Sequence, residues 1–473
     1  MDPRTMAFFE KATDGKIISG SGDVVVHEVF TDSRTPVRDG AFLAVRGDKF
    51  DGHQFIEQVY NNGCKSFIIS ELNSFRFPKD CNVLVVKDTV LAYGDIAEAY
   101  RDQFQNVVFF AVCGSNGKTT TKDLLASVLS KKGSVLASLK SFNNHIGVPQ
   151  TLLKLSSKHR FAVLEIGTNH PGELEALLRR IKPMVTILTS IGHEHLEFFK
   201  NMEGVIKEEI SAVKVLTSGG MLLINRDSYG YERIVGSVAN GVKVISVSRN
   251  RDSSADWIGN FRGITVSGTE FSVLSAPKDY KVSNGAHVVQ PLGKHNVTNA
   301  LLAFAAGFEF GLDEQSVSDG LAACPVPEKR TVVTVVGERI ILDDCYNANQ
   351  DSMLNALETL DLLETFENKP IKSKSVILGT MGELGDSSVV AHLAVAEKVA
   401  TMNLSVAIFC GEYATMMAEV VKKKNQMTKI FVFDSVENIL SQLENLVDKC
   451  GCILIKASRF QKFEKIVKKL SEF

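Results

Sequence analysis

The chain has 473 residues, 44% hydrophobic and 23% charged, with a formal net charge of −2. That length exceeds what one hydrophobic core serves, so three domains are expected, and the ordinary composition excludes a largely disordered chain. Dispersed basic residues exclude nucleic acid or an anionic membrane as the main partner. With neither a signal-peptide core nor a bilayer-length apolar run, a cytoplasmic protein without membrane insertion is expected.

From Val24 to Ser70, short strand-like pieces alternate with polar turns, followed by a helix over about 54–61, which describes a small α/β domain. Thr31, Asp32, Ser33 and Arg34 follow a strand, and Arg46 to His53 is crowded with Gly, Asp, Lys and His. Such loops bind a ligand or merely turn the chain. A strand over 83–88 and a helix over 90–104 lead to a domain boundary near Gln105.

Val107 to Gly133 reads as a buried strand, a glycine-bounded loop and an amphipathic helix with Gly133 as its αL cap. Gly114 and Gly117 let the backbone of Gly114, Ser115, Asn116 and Gly117 fold around phosphate oxygens. Lys118 can reach the β/γ-phosphates, and the hydroxyl of Thr119, followed by Thr120, suits Mg²⁺. The positions suit ATP. The usual G-x-x-x-x-G-K-[ST] loses its first glycine to Val112 and leaves G-x-x-G-K-T. The alternative is a glycine turn with a solvated lysine, but the strand before and the helix after are those a phosphate loop requires.

The strand Phe161 to Glu165 delivers an acid to its carboxyl end, as a Walker-B strand does for the metal beside the phosphates. A strand over 184–190 delivers His193, Glu194 and His195 to the same edge, either as a surface loop or as part of a metal site. Strands over 221–225 and 242–247 continue the βαβ alternation, and His295, Asn296 and Asn299 open an apolar helix, where asparagines commonly cap. A second boundary falls near Pro325 to Pro327. Beyond it, strands over 339–342, 376–378 and 452–455 end in polar loops and alternate with helices such as 389–402, again a doubly wound α/β domain. The eight scattered cysteines read as reduced core thiols, since the Cys450–Cys452 pair has no partner pair or histidine cluster nearby.

These residues together resemble the Mur ligases of peptidoglycan synthesis: TDSR at Thr31, RGDKFDGH at Arg46, GSNGKTT at Gly114, NNHIGVP at Asn143, EIGTNHPGE at Glu165, GKHNVTNAL at Gly293 and DDCYNAN at Asp343. The resemblance implies an N-terminal UDP-sugar domain (1–105), a central phosphate-loop ATPase-like parallel sheet (106–326) and a C-terminal Rossmann-like domain (327–473) that closes on ATP and binds the amine. The branch it favours uses ATP and Mg²⁺ to join UDP-N-acetylmuramoyl-tripeptide to D-alanyl-D-alanine, as a monomer. It implies UDP-sugar contacts at Ser33, Arg46, Lys49, Phe50, Asp51 and His53. ATP and metal contacts are implied at Lys118, Thr119, Glu165 and His195, and nucleotide contacts at His295, Asn296, Asn299, Arg330 and Asp344. Asn143, Asn144, Asn169 and His170 would line the peptide carboxylate, and Tyr346, Asn347 and Asn349 the substrate side of the last domain.

There are departures. The family's Pro-Gly-Arg linker reads Pro327, Glu328, Lys329, Arg330; Thr380 replaces the acid of a Gly-Asp-Met loop; Ala457 replaces a glycine. Members commonly hold a second Mg²⁺ through a carbamylated lysine in the helix after the histidine. Ungapped, that position falls on Glu209, and Lys207 takes it only after a shift of two; Glu209 is expected to offer its oxygen directly. The alternative is that Lys207, Glu208 and Glu209 are all solvated. Two rival functions remain: the sister branch adding the third residue, whose Asp-Asn-Pro-Arg signature is missing, and a phosphate-loop regulatory ATPase, which leaves the Arg46 and Asp343 motifs unexplained.

Overall fold

The computed structural model describes residues 1–47, 50–72, 75–265, 268–367, 369–447 and 451–472. They divide into two compact units, one of Met1–Ala111, Gly133–Thr168 and Leu174–Val185, the other of Val112–Lys132, Asn169–Glu173 and Thr186–Phe473. Both are α/β.

The first unit contains a five-stranded sheet in the order Lys16–Ser19, Asn82–Val85, Ser66–Ile69, Gly40–Leu43, Glu28–Phe30, parallel except for its first pair. Phe42, Ala44, Phe67, Ile69 and Val83 turn one face into a core with Ile56 and Val59 of the helix Ile56–Asn61. The helix expected from 54 starts later because Gly52–Phe55 forms a 3₁₀ turn capped by Asp51. Val135–Ala137 pairs in parallel with Phe161–Glu165.

The second unit holds the helix Lys118–Ser130 behind the glycine loop. Its C-cap is Lys131, not Gly133: Lys131 is right-handed, and Gly133 has no positive φ. What Gly133 provides is room, because a Cβ there would lie 2.8 Å from Arg160 Cδ. Met221–Asn225 and Lys243–Ser248 pair in parallel, and the sheet continues into an antiparallel ribbon, Trp257–Thr265, Gly268–Ser275 and His287–Val289.

The same unit carries a six-stranded sheet ordered Val332–Val336, Arg339–Asp343, Gly451–Lys456, Lys374–Leu378, Val406–Cys410, Lys429–Phe433, parallel after its first pair. Both faces are buried. Leu342, Val376, Leu378, Phe409 and Leu454 enter one core, and Ile341, Ile377, Ile408, Ile453 and Ile455 enter the other. Period-two alternation between two apolar layers is what a doubly wound sheet demands. The seven described cysteines are free and buried; Cys450 lies outside the described residues.

Candidate active site

Within the first unit, the Arg46 loop is folded on itself. Arg46 pairs with Asp51 at 2.7 Å and Glu71 at 2.6 Å. Burial pushes the Asp51 carboxyl up, but the His53 N–H, the Arg46 guanidinium and the His53 ring outweigh it and hold Asp51 at about 2. His53 is buried, with Nε2 accepting from the Ser70 N–H at 3.0 Å. Ser33 is buried too, while Phe50 is 52% exposed and stacked on Phe55, which leaves an open aromatic face. Lys49 lies outside the described residues.

Also in this unit, Glu165 is buried at its strand's carboxyl end and accepts from Asn143 Nδ2 at 2.9 Å through Oε1. Its Oε2 is buried and has no partner among the described residues. The Asn144 side chain accepts from the Ile146 and Gly147 N–H groups at the start of the helix Gly147–Leu152.

In the second unit, the glycine loop needs its glycines. Gly114 has φ +108 and Gly117 φ +87, and a Cβ would stand 2.6 Å from Thr189 Oγ1 or 2.4 Å from Asn299 Oδ1 respectively. The loop leans on the segment after the strand Val185–Leu188: the Ser115 and Asn116 N–H groups donate to the Ser190 carbonyl and hydroxyl, and Thr189 Oγ1 donates to the Asn116 carbonyl. Lys118 Nζ donates to the Gly114 and Ser115 carbonyls at 2.5 and 2.9 Å and lies 3.4 Å from Glu194 Oε2. The ammonium therefore sits over the hollow of its own loop, where a phosphate would be met. Thr119 and Thr120 are buried in the first turn of the helix.

On the helix Met202–Lys214, Lys207, Glu208 and Glu209 are not all solvated. Both carboxylates are buried, and Lys207 is exposed. Burial and then Glu194 push Glu209 up to about 8, against the pull of Lys118 and the Gly114 N–H, and its Oε2 has no partner among the described residues. Glu208 accepts from the Gly172 N–H at 2.8 Å. Asn169 and His170 are exposed on that same segment, their N–H groups donating to Glu173.

Beside the loop lies a cavity of ≈ 150 Å³, lined in part by Asn116, Asn225, Asp227, Arg249, His295 and Asn299. Three of its polar atoms, Asn116 Nδ2, Arg249 Nη1 and His295 Nδ1, are buried without a partner among the described residues. Buried polar atoms are nearly always paired with protein or ordered water, so these three mark places where water, an ion or a ligand would be bound. Burial brings His295 down to about 4, so its ring is neutral. Asn296 stands behind, accepting from Asn299 Nδ2 and donating to the Leu292 carbonyl. Arg249 and Asp227 were missed in the sequence, where the ends of two ordinary strands carry no motif.

The last sheet's loops meet the glycine loop. Arg330 Nη2 donates to Thr119 Oγ1 at 3.0 Å, and its guanidinium lies over the Tyr346 ring at 4.3 Å. Asp344 is fixed by Lys456 at 2.6 Å, and Lys456 also donates to the Asn347 carbonyl. Asn349 caps the helix Gln350–Leu362 and donates to Asn116 Oδ1 at 3.1 Å. Asp351 accepts from the His193 N–H at 2.8 Å, and Glu383 stands 2.7 Å from His195 Nδ1, which depresses the Glu383 carboxyl. Sequence reasoning missed both acids.

A loop built for phosphate, an adjoining polar cavity and an arginine from a following Rossmann-like sheet define a nucleotide-using enzyme that works through two successive domains. Residues 112–307 match the Mur ligase middle domain, and 330–459 match the Mur ligase, glutamate ligase domain. The UDP-N-acetylmuramoyl-tripeptide–D-alanyl-D-alanine ligase of Haemophilus influenzae is 31% identical over 463 residues, 96% of this chain and 95% of that protein. The ligase of the same name from Escherichia coli is 30% identical, covering 95% of each. Crystal structure I of MurF from Acinetobacter baumannii is similar with a TM-score of 0.88 and 28% identity, over 100% of this chain and 99% of that one. The chain belongs to the Mur ligase family.

Proposed function

We propose that this chain is the ATP-dependent ligase that joins D-alanyl-D-alanine to UDP-N-acetylmuramoyl-tripeptide. The observation that carries this reading is the 31% identity across 96% of the chain to a relative of that name. The tripeptide carboxylate attacks the γ-phosphorus of ATP, the bond to ADP breaks and an acyl phosphate forms. The dipeptide amine then attacks the acyl carbon, and phosphate leaves. Such chemistry needs alignment and charge more than covalent help.

Lys118 supplies the charge aimed at the transferred phosphoryl group, and the amides from Gly117 to Thr120 at the helix start cradle its oxygens. The polar cavity takes the base side of the nucleotide, with His295 and Asn299 at its wall and Asn296 holding Asn299; Arg330 and Asp344 approach from the last sheet. Ser33, Arg46, Phe50, Asp51 and His53 serve the UDP-sugar. Asn143, Asn144, Asn169 and His170 serve the peptide carboxylate, and Tyr346, Asn347 and Asn349 the amine side.

The donor set fits Mg²⁺. In the second unit Glu209 keeps a buried carboxylate oxygen without a partner among the described residues, and Thr119 and His195 would hold the ion with it; in the first unit Glu165 keeps such an oxygen too. Among the described residues no three of His, Cys, Asp or Glu converge as a cage. Held there, Mg²⁺ would supply positive charge against the transferring phosphate.

In this reading residues 1–105 hold the UDP-sugar, 106–326 hold ATP, and 327–473 close on it and bind the amine, in a cytoplasmic monomer. Among the described residues no helix is long and apolar enough to cross a membrane. Phosphate release from ATP is the test, with UDP-N-acetylmuramoyl-tripeptide and either D-alanyl-D-alanine, single amino acids or no amine. Turnover only with the dipeptide is expected. Equal release with a single amino acid, or with no amine, would overturn the assignment.

A further inference from the structure

The segment between the strand Val185–Leu188 and the short helix Leu196–Phe199 carries His193, Glu194 and His195. Two acids from the last sheet fasten it. Asp351 accepts from the His193 N–H, and it packs so closely that a Cβ on Gly192 would lie 2.1 Å from its Oδ2. Glu383, on the loop after the strand Lys374–Leu378, makes two contacts: its carbonyl accepts from the Glu197 N–H at 3.1 Å, and its Oε2 stands 2.7 Å from His195 Nδ1. The two atoms are within hydrogen-bonding distance.

Both partners adopt a backbone shape that side chains rarely take, φ +48 at His195 and φ +61 at Glu383. Gly385, with φ +52, keeps the same junction close, since a Cβ there would stand 3.1 Å from Glu197 Cα. Two facing left-handed residues persist only where their surroundings over-determine them, and such positions gather at functional sites.

We propose that Glu383 is the positioning residue for His195, holding the imidazole with its proton on Nδ1 and its lone pair on Nε2, so that docking of the last sheet completes the cation site. This rests on the reading of His195 as a cation ligand. A carboxylate at the far nitrogen of a metal-binding histidine fixes its tautomer and orientation and raises its basicity. Here that carboxylate comes from a different sheet than the histidine. Capture of the cation on the phosphate side is thereby tied to the presence of the domain that brings the amine, and the two halves of the reaction share one contact.

The experiment titrates Mn²⁺ into the full chain with a non-hydrolysable ATP analogue. It reads free Mn²⁺ by electron paramagnetic resonance and coordinated imidazole nitrogen by spin-echo modulation. Wild type is expected to show the nitrogen signal and His195→Ala to lose it. Glu383→Ala is expected to raise half-saturation by about tenfold, the usual effect of removing such a partner, and the double variant to bind no more weakly than His195→Ala. Glu383→Gln keeps the shape without the charge and should show the same loss in smaller degree, with Glu383→Asp recovering part of it. If His195→Ala keeps the nitrogen signal, the ligand reading fails and the proposal with it. If His195→Ala loses the signal while both Glu383→Ala and Glu383→Gln bind Mn²⁺ like wild type, or if the two losses add, the ligand reading stands and the positioning role is overturned.

Discussion

Glu209→Gln should make the ligand-free protein more stable while removing its activity. The carboxyl is buried, Glu194 and Glu208 face it with like charge, and its pKa rises from 4.5 to about 8. The unfolded chain releases this proton near pH 4.5, whereas the folded chain keeps it until near pH 8, so stability falls as pH rises between those values. At about 1.4 kcal/mol per unit, the accumulated loss is under about 1 kcal/mol at pH 5, about 3 at pH 7 and on the order of 5 at pH 8.5. Glutamine has the same shape and no proton to release, so it escapes that loss. Thermal unfolding midpoints of wild type and Glu209→Gln, without ligands, should nearly coincide at pH 5 and separate in favour of the variant by pH 8.5. Turnover of the variant should fall at least tenfold, as expected when a site that holds charge for a ligand is traded for stability. Midpoint curves that stay parallel from pH 5 to 8.5 would refute the reasoning, because no proton would then separate the two proteins.

Lys118→Ala should lower turnover by about 10²–10³, the scale of one charge-stabilising donor, with unchanged circular dichroism; more than a tenth of wild-type turnover would remove the role. Gly117→Ala places a Cβ 2.4 Å from Asn299 Oδ1 at φ +87, so calorimetry should show ATP-analogue affinity weakened at least tenfold. Lys207 is exposed, so Lys207→Ala should retain wild-type turnover and activity should not respond to added bicarbonate; loss of activity restored by short-chain carboxylates would point back to a modified lysine.

The phosphate loop was legible because strand, glycines, lysine and helix are contiguous and each has one physical purpose; the helix begins at Lys118 as its spacing requires. Gly133 was misread because a glycine after a helix has two uses, a left-handed cap or a close approach, and only the position of Arg160 distinguishes them. The ribbon Trp257–Thr265 and Gly268–Ser275 escaped notice because shifts of register at Gly259 and Gly263 break the two-residue period. Val332–Val336 was missed although its valines favour a strand, since its half-exposed residues at a sheet edge show no clean alternation. In the site, residues inside motifs could be found, but Asp227, Arg249, Asp351 and Glu383 could not. Their significance lies in what they face across the fold, and no local pattern records it.

The buried cysteines make the protein its own set of opening sensors. Burial raises all seven described thiols, Cys81 and Cys410 to about 11 and Cys324 and Cys452 to about 12. An alkylating reagent at neutral pH therefore meets almost no thiolate until the surrounding structure opens. Cys64 and Cys81 lie in the core of the five-stranded sheet, Cys113 ends the strand before the glycine loop, and Cys410 and Cys452 lie on opposite faces of the six-stranded sheet. The order in which a mass spectrometer sees them modified is then a map of which layers breathe first, read without adding any probe.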